Sequence, residues 1–155
     1  MVANLSLNQF APNQPIDGLY VYMANEGQLH NVIVGADTTL KAGDVVKLDA
    51  NSTNVHAPVV LAAESTDEPF GIVTYNPVNA SFGEGTRVAL AREHDVIWKT
   101  ANSAIAVGDK VAFDSNFKVE TAGAGDVYIG TAITPALAED DLIQVEIKFG
   151  AVAGE

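Results

Sequence analysis

The chain has 155 residues, 48% of them apolar, with 8 Lys and Arg against 20 Asp and Glu for a formal net charge of −12, and it contains no cysteine. That length suits one domain, or two small halves around a shared core, without disulfide staples. The charge opposes approach to nucleic-acid phosphates, the missing thiols exclude thiol catalysis and Cys-based zinc sites and suit a cytoplasmic origin, and no apolar stretch is long enough to cross a bilayer as a helix.

Residues 1–18 read as an extended N-terminal arm. They are rich in Asn, Gln and Pro, Pro12 and Pro15 interrupt any regular element, and Leu5, Leu7, Phe10 and Ile16 stand as spaced apolar points. The segment has neither the basic region nor the unbroken apolar run of a secretory signal. Three arrangements are open to it: disorder, packing along its own domain, or extended pairing with a neighbouring subunit. In the last case those four side chains are the partner-binding anchors.

Residues 19–155 read as a single β domain. Leu19, Val21 and Met23 alternate with Tyr20 and Tyr22, a strand closed by Asn25-Glu26-Gly27, and Val32 and Val34 begin the return. Residues 41–49, Lys-Ala-Gly-Asp-Val-Val-Lys-Leu-Asp, then place a Gly-Asp turn ahead of an alternating strand. Residues 106–114, Ala-Val-Gly-Asp-Lys-Val-Ala-Phe-Asp, state the module again, so Val46 and Leu48 answer to Val111 and Phe113.

Val59–Ala63 and Phe70–Thr74 are short β-like runs separated by the turn-forming Ser65-Thr66-Asp67-Glu68-Pro69. Phe70-Gly71-Ile72-Val73-Thr74 is echoed by Ile129-Gly130-Thr131-Ala132-Ile133. Gly43 and Gly108 are 65 positions apart but Gly71 and Gly130 only 59, so one loop of the second copy is six residues shorter. Duplication accounts for both echoes, with quasi-repeated halves at about 36–95 and 101–149.

Thr86–Leu90 alternates around Arg87, and Val96 with Trp98 supplies bulky core material opposite Lys99. The last strand sets Ile143, Val145, Ile147 and Phe149 against Gln144, Glu146 and Lys148. A helical turn is offered at Pro135–Asp140 alone. The expected fold class is therefore all-β: a small antiparallel β-barrel or sandwich with an internal quasi-repeat and an extended N-terminal arm.

Reactive chemistry finds little support. His30, His56 and His94 each stand apart from a second metal ligand at helical or hairpin spacing. Glu93 and Asp95 flank His94, but successive side chains of a strand face opposite sides. Glu139-Asp140-Asp141 lacks the spaced acids and glycine of a calcium loop. Gly123-Ala124-Gly125 precedes a β-run rather than the helix N-terminus of a phosphate cradle, and no Ser or Thr sits in a nucleophile elbow. Lys110 follows a Gly-Asp turn as the modified lysine of biotinyl and lipoyl carrier domains follows a hairpin, but it opens the strand carrying Val111 and Phe113. No catalytic, cofactor-binding or metal residue is assigned, and the chain is read as a non-enzyme.

Together, Leu40 to Asp49, Pro69-Phe70-Gly71-Ile72-Val73, Gly85-Thr86-Arg87-Val88-Ala89, Ala106 to Val111 and Asp141-Leu142-Ile143-Gln144-Val145 resemble the tailed-phage capsid decoration, or cement, proteins, over about residues 35–149. The resemblance implies a β-rich virion subunit, often trimeric, assembled in the host cytoplasm. Such a subunit binds the capsid exterior and stabilises the icosahedral shell by bridging copies of the major capsid protein. The acidic surface and the absent membrane span suit a partner that is neither nucleic acid nor membrane. The competing expectation is a carbohydrate-binding or fibre-like β module of a virion or cell surface, with Tyr20, Tyr22, Tyr75, Tyr128 and Trp98 as the aromatic surfaces that stack on sugars.

Overall fold

The computed structural model describes residues 15–22 and 29–154, and every regular element among them is a strand. The strands are β1 Tyr20–Tyr22, β2 Leu29–Val34, β3 Val45–Leu48, β4 Val59–Ala62, β5 Gly71–Val73, β6 Arg87–Ala91, β7 Val96–Thr100, β8 Lys110–Phe113, β9 Val119–Thr121, β10 Val127–Ala132 and β11 Leu142–Ala151. They build a closed five-stranded barrel in the order β2-β4-β3-β5-β6 and a six-stranded sheet in the order β1-β7-β11-β10-β8-β9. Every ladder is antiparallel except β2 with β4, the parallel pairing that closes the barrel.

Two apolar cores result. Val32, Val46, Val60, Val73, Val88 and Leu90 fill the barrel. Val45, Ile72 and Ala91 leave the same barrel wall in the opposite direction and join Ile97, Val111, Phe113, Ile129, Ile143 and Val145 of the sheet. The wall of β3, β5 and β6 is thus covered on both faces, which is why Val45-Val46 and Ile72-Val73 are unbroken apolar pairs instead of an alternation. Each such side chain contributes roughly 1.5–3 kcal/mol by leaving water.

The duplicated modules make the same pairings. Val45 with Ile72 and Val46 with Gly71 in the barrel correspond to Lys110 with Thr131 and Val111 with Gly130 in the sheet. Val46, Lys47 and Leu48 face Ala62, Leu61 and Val60 as Val111, Ala112 and Phe113 face Thr121, Glu120 and Val119. Counted by these ladders, one copy comprises β2 to β6 and the other β7 to β11, each beginning one strand upstream of its Gly-Asp turn. The copies differ in closure. The β2–β4 ladder has for its counterpart a single parallel bridge, Ala101 to Val119, and β1 occupies the edge of β7 beside it. One copy is a barrel and the other has opened into a sheet.

Part of the acidic composition has a structural cause. In six turns the backbone N–H of one residue donates to the carboxylate of an aspartate three positions on, at 2.8–3.2 Å, through Asp44, Asp67, Asp95, Asp109, Asp126 and Asp141. The aspartate N–H returns a bond to the first carbonyl of the same turn. Five of these turns lead directly into β3, β7, β8, β10 and β11, so the carboxylate satisfies an N–H that the ladder has not yet reached.

Four local expectations differ from the structure. In β1, Tyr20 packs on the sheet core and Val21 is exposed, because β1 lies at the sheet edge with Tyr20 turned inward. Leu48 ends β3 exposed rather than sharing the core with Val46. In β7 it is Lys99 that shares the inward face with Ile97, while Trp98 is half-buried on the other side. No helical turn forms over residues 135–140: Ala136 instead bridges Ile105, in a loop joined by both of their N–H groups.

Candidate functional site

The chemistry-bearing residues are dispersed. His56 and His94 are exposed, and His94 occupies the third position of the Arg92–Asp95 turn at φ 76, where the Gly-Asp turns place glycine. The neighbouring Asp95 carboxylate is buried and accepts the Arg92 N–H at 3.0 Å. Of the acidic run, Asp141 accepts the N–H groups of Leu137 and Ala138, whereas Glu139 and Asp140 pair with the Lys118 ammonium at 3.6 and 2.6 Å. Asp140 raises the Lys118 ammonium above its ordinary pKa, and Lys47 holds Asp67 below its own. Lys110 lies 4.6 Å above the Tyr128 ring, its strand paired on both edges by β9 and β10.

Of the four sequence-derived anchors, Leu5, Leu7 and Phe10 lie outside the described residues. Ile16 is described, and its neighbours Asp17 and Gly18 are fastened to the body. The Asp17 carboxylate meets the fully buried Lys99 ammonium at 3.0 Å and accepts the Thr100 N–H at 3.3 Å. The ammonium also donates to the Gly43 carbonyl at 2.6 Å. Gly18 donates to the Trp98 carbonyl and accepts from the Tyr75 N–H. Sequence reasoning assigned 1–18 to the arm as one piece. Its last residues instead serve as a root, because a buried ammonium needs acceptors and Asp17 supplies them.

That root fixes where the arm leaves the body. Ile16, Lys41, Ala42, Tyr75, Asn79 and Ala80 border a hollow of about 350 Å³ beside the first Gly-Asp turn. A second hollow, about 500 Å³, runs between barrel and sheet, bordered by Phe70, Arg92, Glu93 and Phe149, with the Arg92 guanidinium 4.0 Å over the Phe70 ring. The Arg92 Nε is buried there without a hydrogen-bond partner among the described residues.

The residues that sequence reasoning missed are exposed apolar side chains in the loops: Val55, Val78, Val107, Ile133 and Leu137. Three of them share one place. Gly108 donates to the Ala132 carbonyl while Ile105 and Ala136 exchange both bonds, so the loop carrying Val107 lies against the segment carrying Ile133 and Leu137. The signal was present in the repeat, since Val107 answers to Ala42 at a turn corner where solvent exposure calls for a small or polar residue.

Comparison with known proteins bears on this body of strands. Among solved structures, the N base of the head fibre protein gp8.5 of bacteriophage phi29 superposes with a TM-score of 0.54, covering 76% of this chain and 90% of that one at 16% identity, a likeness of fold. No curated protein matches the chain. The phage cement protein family matches residues 24–148, most of the chain and nearly all of both strand repeats. On that match the chain belongs to the phage cement proteins, structural components of the virion.

Proposed function

We propose that this chain attaches as a homotrimer to the outer surface of an icosahedral head and stabilises it by bridging neighbouring major capsid subunits. The observation that carries the reading is the family match across both strand repeats. The physical form suits the task. A double-core β body holds its loops at fixed separations, and those loops present apolar side chains, Val55 and Val78, at their surfaces. Three copies in one particle multiply such contacts, and effective concentration converts several weak ones into slow dissociation without any reaction. Mixing the purified chain with assembled cognate heads and sedimenting them tests the reading. Saturable recovery in the head pellet, with heads that then resist heating, is the expected result; protein left in the supernatant at every ratio would overturn it.

The fold shared with a head-fibre base favours one alternative, a fibre-like module that takes a glycan. Trp98, half-buried on the outward side of β7, is its best stacking surface. Selective capture on a glycan array, lost in Trp98→Ala, would decide for it.

A further inference from the structure

The two copies of the Gly-Asp module present the same surface, and the described chain covers it once. In the barrel copy the turn at Lys41–Asp44 and the residues after β5 lie beneath the N-terminal root: Gly18 accepts the Tyr75 N–H, Asp17 lies against Gly43, and Thr74 is buried. In the sheet copy the corresponding turn at Ala106–Asp109 carries Val107 at 61% exposure, and the position matching Thr74 is Ile133 at 40%, beside Leu137 at 83%. The covered position therefore bears a polar residue and the uncovered one an apolar residue, the reverse of what solvent selects. Ala106, Pro135 and Ala138 extend the patch, also exposed and uncharged.

We infer that the Val107, Ile133 and Leu137 patch of one copy is covered by residues 1–14 of a second copy, with Leu5, Leu7 and Phe10 as the seated side chains. Three observations select this occupant. Residues 1–16 contain none of the chain's Asp, Glu, Lys, Arg or His, so this segment approaches a body of net charge −12 without side-chain like-charge repulsion. Its apolar residues are spaced by uncharged polar ones, Ser6, Asn8 and Gln9, as suits an extended strip laid on a shallow apolar surface. The segment joins the body through Ile16 and Asp17, at the barrel copy's own Gly-Asp surface, one residue past Pro15. From there fourteen residues reach about 46–50 Å, beyond the roughly 15 Å radius of gyration of a domain this size. The arrangement is head-to-tail, arm of one copy to sheet of the next, and such a contact closes into a ring when the rotation permits. It rests on the trimer in the proposed function and gives that trimer its joint.

The absence of native cysteine makes disulfide trapping clean. Leu7→Cys and Leu137→Cys proteins, oxidised as a mixture without heads, are expected to give a linked dimer that neither yields alone, and the double variant a covalent ring. A double variant that forms only an intrachain bond, or none, would overturn the inference. Leu137→Ser, an exposed site whose change leaves the strand signal in circular dichroism intact, should raise the concentration at which the oligomer dissociates by about tenfold or more, as loss of one buried leucine does. An unchanged dissociation point counts equally against it. Cross-linking without head binding would sink the proposed function and leave the joint standing; head binding by a protein that never cross-links would do the opposite.

Discussion

Lys99 and Asp17, 82 positions apart in the chain, meet at 3.0 Å with the ammonium fully buried and the carboxylate partly open to water. The asymmetry sets what each substitution should do. Asp17→Ala leaves a buried ammonium with the Gly43 carbonyl as its remaining acceptor among the described residues, a loss of about 3 kcal/mol or more. Lys99→Met removes the charge and keeps the volume, while Asp17 turns to solvent, for less than about 1.5 kcal/mol. Urea denaturation of both variants measures the difference, and equal losses would contradict it. Truncations obey the same logic: a chain lacking residues 1–18 should unfold at a lower midpoint than one lacking 1–14, by at least the loss seen in Asp17→Ala.

Gly43 and Gly108 hold the same turn position at φ 90 and 91 but differ in what lies above them. A Cβ at Gly43 would fall on the Asp17 carboxylate, whereas one at Gly108 would meet open space. Gly108→Ala should therefore cost only the left-handed penalty of about 1–2 kcal/mol, and Gly43→Ala clearly more. Melting curves of the two single variants compare them directly.

Asp44 is buried, and desolvation raises its carboxyl above the ordinary aspartate value despite the opposing Lys41 N–H bond. A raised folded-state pKa means that the native protein takes up this proton before the unfolded chain does. In the interval above the ordinary aspartate pKa, acidification at this site thus favours the fold. Asp44→Asn keeps an oxygen acceptor for Lys41 and removes the titration. Its melting temperature should fall more steeply than wild type as pH drops through that interval, and parallel curves would refute desolvation as the cause.

The segment between Leu48 and Val60 is six residues longer than its counterpart between Phe113 and Val119. Replacing residues 49–59 by 114–118 should keep the fold, since loop length alters closure entropy slowly. The loss should stay within about 2 kcal/mol, because the transplant sacrifices the Ile33–Val59 pairing but leaves Val34 beside Val60. Loss of cooperative unfolding would show that the longer loop is needed to close the barrel.

Much of the strand architecture was legible in the chain because its causes are local. Alternation over Ile143–Phe149, Gly-Asp turns before Val45 and Lys110, and the paired echoes all act within a few residues. Each repeats in space with the pairing its sequence offset implies. The partner surface was less legible. Leu5, Leu7 and Phe10 stood out by spacing, whereas Val107, Ile133 and Leu137 carried no such signal and are set apart only by their exposure.

By itself, then, the sequence determined an all-strand, duplicated, acidic body, since hydrophobic period and turn chemistry are properties of neighbouring residues. Only the tertiary structure decided that one copy closes while the other opens, that Lys99 lies inside, and that Val107 is uncovered. Those outcomes depend on Asp17 reaching a strand 82 residues away and on β1 taking an edge that β9 leaves free, and no local pattern encodes which distant segment arrives.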